Sequence, residues 1–234
     1  MATIATLKDL EKAYNGYLST LKKTGNYRTL VSISERTIPF PCVPLIEISE
    51  NFNPKKILFV GFNPSGADTT SYSGNKKDVF IYRGKSSYYL AMESFAKECG
   101  YNEYSELDVL GLVRKTQSKV VKNFLNNPSL FSDMLDIFLD AIVGLKPSVI
   151  VVANAFIRKF LLRDVINVPK LKNPVFDAFY NRIKIFQIPG NLRYELSIDG
   201  RDPFPMYFSC MLSGQRAIDL GNRENLIWIV KNKP

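Results

Sequence analysis

The chain has 234 residues, 46% of them hydrophobic and 23% charged, which suits a folded protein with a full core and excludes wholesale disorder. Lys plus Arg total 31 and Asp plus Glu 22, and the resulting charge of +9 favours an anionic partner such as nucleic acid, acidic lipid or a phosphorylated ligand. Histidine is absent, which excludes a Ser-His-Asp triad, a His-ligated zinc and an imidazole general base.

In chain order, residues 5–23 read as an amphipathic helix, with Leu7, Leu10, Tyr14, Tyr17, Leu18 and Leu21 at helical spacing and Gly25 as its stop. A connector with Pro39, Pro41 and Pro44 forbids helix and favours an extended path. Residues 1–50 are therefore read as an N-terminal helix and proline-rich connector, and 51–234 as the main domain. Ile57-Leu-Phe-Val60 is a short apolar run, as expected of a strand buried on both faces. Gly61 to Gly84 is a long polar and aromatic loop, more typical of a functional segment than of a simple connection. A helix is expected from Ser86 to Cys99, a strand over 107–113, and a strong helix from Ser129 to Leu145. A buried strand over Val149–Val152 and a helix from Ala155 to about Leu162 come next. Strands are expected over Ile183–Ile188 and Met206–Cys210, and a closing helix from Asn222 to Val230. The spacing predicts an α/β fold with a central, mostly parallel sheet of about four strands, covered by helices on both faces. Chemistry in such folds sits beyond the carboxyl ends of the strands.

Cys42, Cys99 and Cys210 are few, odd in number and scattered, as for reduced thiols in a cytoplasmic protein. No apolar run approaches the roughly 18 residues of a membrane span, and Asp9 and Glu11 interrupt any signal-like start. The expectation is therefore no membrane association, no cofactor and no metal.

The sharpest local pattern is Gly61-Phe-Asn-Pro-Ser-Gly-Ala-Asp68, directly after a buried strand. Gly61 and Gly66 permit close backbone approach to a ligand, and Asn63 offers an amide that can hold a water. The same residues are also strong turn chemistry. No Gly-Lys-Ser/Thr follows, so this is not a P-loop.

With the segments that follow, the order resembles the uracil-DNA glycosylase superfamily, nearest to its mismatch-specific uracil/thymine branch. Gly61-Phe-Asn-Pro-Ser stands where that branch carries G-x-N-P-G. Lys85-Ser-Ser-Tyr-Tyr-Leu and Phe95-Ala-Lys-Glu-Cys-Gly100 match its aromatic loop and helix. Asp108-Val-Leu-Gly-Leu-Val-Arg-Lys-Thr116 looks like its T-D-L-V-x-R-x-T strand. Leu145-Lys-Pro-Ser-Val-Ile-Val-Val-Ala-Asn-Ala155 resembles its next strand and turn. Tyr207-Phe-Ser-Cys-Met-Leu-Ser-Gly214 occupies its last motif. The resemblance runs from about Lys55 to the C-terminus.

The resemblance implies a three-layer αβα fold and hydrolysis of the N-glycosidic bond of a flipped base in DNA; the protein is expected to act as a monomer. It implies that Asn63 holds the attacking water and that Asp68 supplies charge nearby, although an aspartate there also suits a turn or helix cap. Gly61, Phe62, Pro64, Phe80, Asn154 and Met211 would form the base pocket. Phe80 is chosen among Tyr72, Phe80 and Tyr82 as the ring that stacks on the base, with core packing as the competing use of each ring. Ser65, Arg114, Lys115, Ser213, Gly214, Gln215 and Arg216 would meet DNA, double-stranded DNA included. Arg158, Lys159 and Arg163 form a second basic set that equally suits a solvated face.

Two departures stand out. Met211 falls where members carry His or Asn, and methionine cannot donate a hydrogen bond to a departing base. Gln215 falls where an apolar wedge is usual. Residues 189–205 read as an insertion before the last motif. The alternatives are a catalytically silent nucleic-acid-binding member of the same superfamily, or a hydrolase of a free nucleotide or small phosphorylated ligand.

Overall fold

A computed structural model of the chain describes residues 4, 7–33, 45–47, 57–62, 87–102, 104–111, 117–163, 172–210, 212 and 218–232. The N-terminal periodic segment forms α1, Leu7–Lys23, and α2 follows over Tyr27–Ile33. Leu10, Tyr14, Tyr17, Leu18 and Leu21 bury one stripe of α1, and Lys22 and Lys23 sit in its last turn, where cations suit the helix dipole. That stripe belongs to the same core as the helix α5, Ser132–Leu145, described below.

Among the described residues the strands are β1 Leu45–Glu47, β2 Ile57–Gly61, β3 Tyr104–Asp108, β4 Val149–Val152, β5 Ile183–Gln187, β6 Tyr194–Ile198 and β7 Phe204–Phe208. They form one sheet in the order β1-β3-β2-β4-β7-β6-β5. β2 pairs in parallel with β3 and with β4, and β4 with β7. β1 and β6 run antiparallel to their neighbours, and β5 antiparallel to β6. The fold is of the α/β class, but the sheet is wider and more mixed than the expected four strands. β6 lies inside the stretch read as an insertion, where Glu195 and Ser197 obscure its alternation. β1 is only three residues long and follows the proline-rich connector.

The helices are α3 Ser87–Glu98, α4 Gln117–Asn126, α5 Ser132–Leu145, α6 Ala155–Leu161, α7 Pro174–Arg182 and α8 Leu220–Asn232, with a 3-10 turn over Pro128–Phe131 before α5. One sheet face presents Leu58, Val60, Ile150, Val152 and Met206 to a core that includes residues of α1 and α4 to α7. Phe62, Phe124, Phe131, Phe156, Phe160 and Phe176 form its aromatic centre, with ring centroids mostly 5 to 6 Å apart, as in Phe124–Phe160 at 5.3 Å. The other face presents Ile57, Phe59, Val149, Val151 and Tyr207 to Met92 and Phe95 of α3 and Leu226, Ile229 and Val230 of α8.

β3 begins and ends earlier than the sequence suggests, at Tyr104–Asp108 instead of 107–113. Its five residues are all buried although three are polar or charged, so the hydrophobic signal is displaced toward Val109 and Leu110. From β2 the chain moves outward to β3, then returns across β2 to β4. The crevice outside the carboxyl ends of β2 and β4 is therefore the topological switch point, where open α/β sheets bind ligands.

Candidate functional site at the carboxyl edge

Parallel pairing brings the ends of β3, β2, β4 and β7 to one edge. Gly61 is in register with Asp108. One residue beyond the strands, the Ala153 amide donates to the Val60 carbonyl at 3.2 Å and the Ser209 amide to the Val152 carbonyl at 2.9 Å, extending the ladder. Asp108, Gly61, Ala153 and Ser209 thus form one row across the edge, on the face covered by α3 and α8. The middle of the row carries no side chain at Gly61 and only a methyl at Ala153. Its ends carry a carboxyl and a hydroxyl.

Asp108 leans over Gly61. A Cβ at position 61 would meet Asp108 Oδ1 closer than any real Cβ contact, and Glu106 Oε1 at 3.6 Å. A side chain at 61 would therefore displace the Asp108 carboxyl, and the glycine serves this close approach, since its φ lies outside the left-handed region.

Glu106 and Asp108 alternate on one face of β3 and are 3% and 5% exposed. The Tyr88 hydroxyl of α3 donates to Glu106 Oε1 at 2.8 Å. Burial, and then the Glu106 charge beside it, push the Asp108 carboxyl well above the usual carboxylate range, which favours its protonated form. A protonated carboxyl offers one donor and one acceptor. Tyr88 is likewise raised by burial and then by Glu106 and Asp108. Tyr14, buried in α1, is raised by burial, then by Tyr17 and Asp108. The nearby Gly111 amide opposes that shift without forming a well-aligned hydrogen bond to the Tyr14 hydroxyl. At the other end of the row, Ser209 is 8% exposed, and among the described residues its hydroxyl has no hydrogen-bond partner, nor does that of Tyr207 one row below. Buried hydroxyls of this kind are normally satisfied by protein, water or ligand.

Of the residues singled out in the sequence, Gly61, Phe62 and Asn154 lie among the described ones. Gly61 stands in the row. Phe62 turns to the opposite face and packs edge-on against Phe124 and Phe156, with ring centroids at 5.8 and 4.8 Å. Asn154 Oδ1 caps α6, accepting from the Phe156 and Ile157 amides at 3.0 and 3.1 Å. Asn63, Pro64, Ser65, Asp68, Phe80, Arg114, Lys115, Met211, Ser213, Gly214, Gln215 and Arg216 lie outside the described residues, and so does the long loop after Phe62. Lys119 and Lys122, basic residues that follow Arg114 and Lys115 in the sequence, are exposed on α4, and Arg158 and Lys159 of the second basic set are exposed on α6. The Arg163 guanidinium stacks 4.4 Å from the Tyr180 ring centroid.

The residues that sequence reasoning passed over are Glu106, Asp108 and Ser209. The available signal was two acids at alternate positions of a segment flanked by buried apolar residues, a pattern at odds with a solvated strand. The sequence also hides the β5–β6 hairpin. Gly190, at φ 74°, turns it, and Asn191 accepts from the Arg193 amide at 3.0 Å. β5 runs parallel to β7, so this hairpin projects from the same edge as the row. Arg193 pairs there with the buried Glu195.

Among the described residues, no group of three or more His, Cys, Asp or Glu is placed to hold a metal ion, and no described helix is long and apolar enough to cross a membrane. No family model matches the chain, and no curated protein matches it.

Proposed function

We propose that the protein is a DNA base glycosylase with a uracil-DNA glycosylase-like αβα fold, hydrolysing the N-glycosidic bond of a uracil-like or modified base drawn out of the stack. The observation that carries this reading is the row at the switch point. It lies at the carboxyl edge of the parallel strands, with a carboxyl at one end, a hydroxyl at the other, and only Gly61 and Ala153 between them. Asn63 follows Gly61 by two residues, in the position where the resemblance assigns it the attacking water. The charge of +9 suits a polyanionic partner.

Methionine at 211 supports the second reading, a nucleic-acid-binding relative that no longer cleaves. The test is a cleavage assay on duplexes carrying uracil, mismatched thymine, hypoxanthine or modified cytosine, with alkaline scission of abasic sites, alongside DNA binding at two salt concentrations. Strand scission on one of these bases, lost in Asn63→Ala with binding retained, is the expected result, because a positioned water acts in the transition state. Salt-dependent binding without scission selects the silent reading. Absence of both selects a small phosphorylated ligand.

A further inference from the structure

We propose that β5 is the docking surface for a second copy of this chain. Two molecules pair their β5 strands antiparallel about a two-fold axis at Ile185, which joins their sheets into one. The proposal is independent of the glycosylase reading, and it replaces the expected monomer with a protein that associates with itself.

The sheet ends at β5, and its backbone is open there. The Asp199 amide donates to the Arg182 carbonyl at 2.7 Å and the Ile188 amide to the Arg193 carbonyl at 2.9 Å, one residue beyond either end of the β5–β6 register. The even-numbered residues of β5 therefore face β6, and Ile183, Ile185 and Gln187 turn their N–H and C=O groups outward. Among the described residues no strand pairs with that side. The opposite edge of the sheet is β1, whose three residues are one of the usual ways of blunting an edge. β5 is longer, and its single charge is Lys184. Phe186 lies two residues on, on the same face of the sheet, and is 49% exposed.

The side chains select both the occupant and its register. An axis at Ile185 sets Ile185 against its own copy and Ile183 against Gln187, so every outward N–H meets an outward C=O. In the same register Lys184 stands opposite Phe186 of the second copy, and by symmetry Phe186 opposite its Lys184, in the type of pair where side chains come closest. An ammonium over an exposed ring is attractive and covers the ring. An axis moved to Lys184 would set two ammonium groups face to face, and an axis moved to Phe186 would shorten the ladder. Lys184, the usual kind of guard on an open edge, thus rejects the wrong register and favours one. On the opposite face Ile185, which packs against the core that includes α7, meets its own copy, so the apolar layer continues across the axis. β5 carries both halves of this pattern itself, as a self-complementary interface requires.

The test is analytical ultracentrifugation of the full chain over a wide concentration range, with amide hydrogen exchange measured at its two ends. The wild type should pass from monomer to dimer with a Kd on the order of 10–100 µM, because paired five-residue strands fall well below the size of a permanent interface. Phe186→Lys sets like charges opposite each other at two symmetric positions and should raise the Kd at least about tenfold. Adding Lys184→Glu to that variant restores opposite charges at both positions and should bring the Kd back to within about threefold of wild type. Both residues are exposed, so the thermal midpoints of the variants should stay close to wild type. The Ile185 and Gln187 amides should exchange more slowly where the dimer is populated, a readout that needs no variant and decides the matter if one fails to fold. A wild type that stays monomeric into the millimolar range overturns the proposal and leaves the edge to an extended segment of another protein. A dimer that Phe186→Lys does not weaken, that the double variant does not restore, or that leaves both amides unprotected forms elsewhere on the molecule and overturns it. Growth beyond the dimer overturns the closed two-fold.

Discussion

The Tyr17 hydroxyl of α1 donates to the Leu130 carbonyl at 2.7 Å, across 113 residues of sequence, inside the core. The bond fastens the first helix to the 3-10 turn that leads into α5. Tyr17→Phe should therefore cost about 1 kcal/mol, because it leaves a buried carbonyl without its donor. Burial also raises the Tyr17 pKa above its ordinary value. The folded state holds the phenol proton after the unfolded chain has lost it, so wild-type stability should fall as pH rises beyond about 10. Urea denaturation at neutral and alkaline pH checks both points. Tyr17→Phe should be the less stable protein at neutral pH and should lose less on alkalinisation.

Asn154 separates a structural use from a chemical one. Asn154→Ala should lower stability by about 1 kcal/mol through loss of the α6 cap. Asn154→Asp keeps an accepting oxygen toward the Phe156 and Ile157 amides and should stay close to wild type in thermal unfolding. If Asn154→Asp nonetheless loses base cleavage, the residue contacts the base as well as the helix.

Asp108 links the site to stability through its own proton. Its folded pKa is raised by burial and then by Glu106. From the ordinary carboxyl range near pH 4 up to that raised value, the folded state binds more protons than the unfolded one, so stability falls as pH rises. Asp108→Asn removes the penalty and should be more stable than wild type at neutral pH. The difference should shrink toward zero near about pH 3, where both folded and unfolded wild type are protonated. Denaturation midpoints at several pH values measure this directly. A variant less stable at neutral pH would mean that the carboxyl is ionised and paired in the fold.

Much of the scaffold was legible because it obeys simple patterning. β2 and β4 are apolar throughout, as parallel strands covered on both faces must be, and α1 and α5 show a helical stripe. α4 and α7 were passed over because each is short, with two or three buried residues to mark it. Gly61 was legible as a strand end followed by turn chemistry. Asp108 was not, because a carboxylate in isolation reads as solvent-facing. Only the sheet order, which places Gly61 beside it and Tyr88 above Glu106, shows that it is enclosed. Ser209 is equally ordinary as a residue type, and its significance comes from the ladder bond to Val152.

The strand order also governs when the edge can be completed. β4 inserts between strands made long before and long after it, since β2 precedes it and β7 arrives only after the β5–β6 hairpin. Non-local parallel pairing of this kind is slow, because loop closure must precede the contacts that reward it. A chain leaving the ribosome can assemble β1, β2, β3 and β4, yet it carries a bare, wholly apolar β4 edge until Phe204–Phe208 emerges. An open edge of that composition is a template for pairing with other chains. Emergence of Phe204–Ser209 therefore both supplies the hydroxyl end of the row and closes the segment most prone to aggregate.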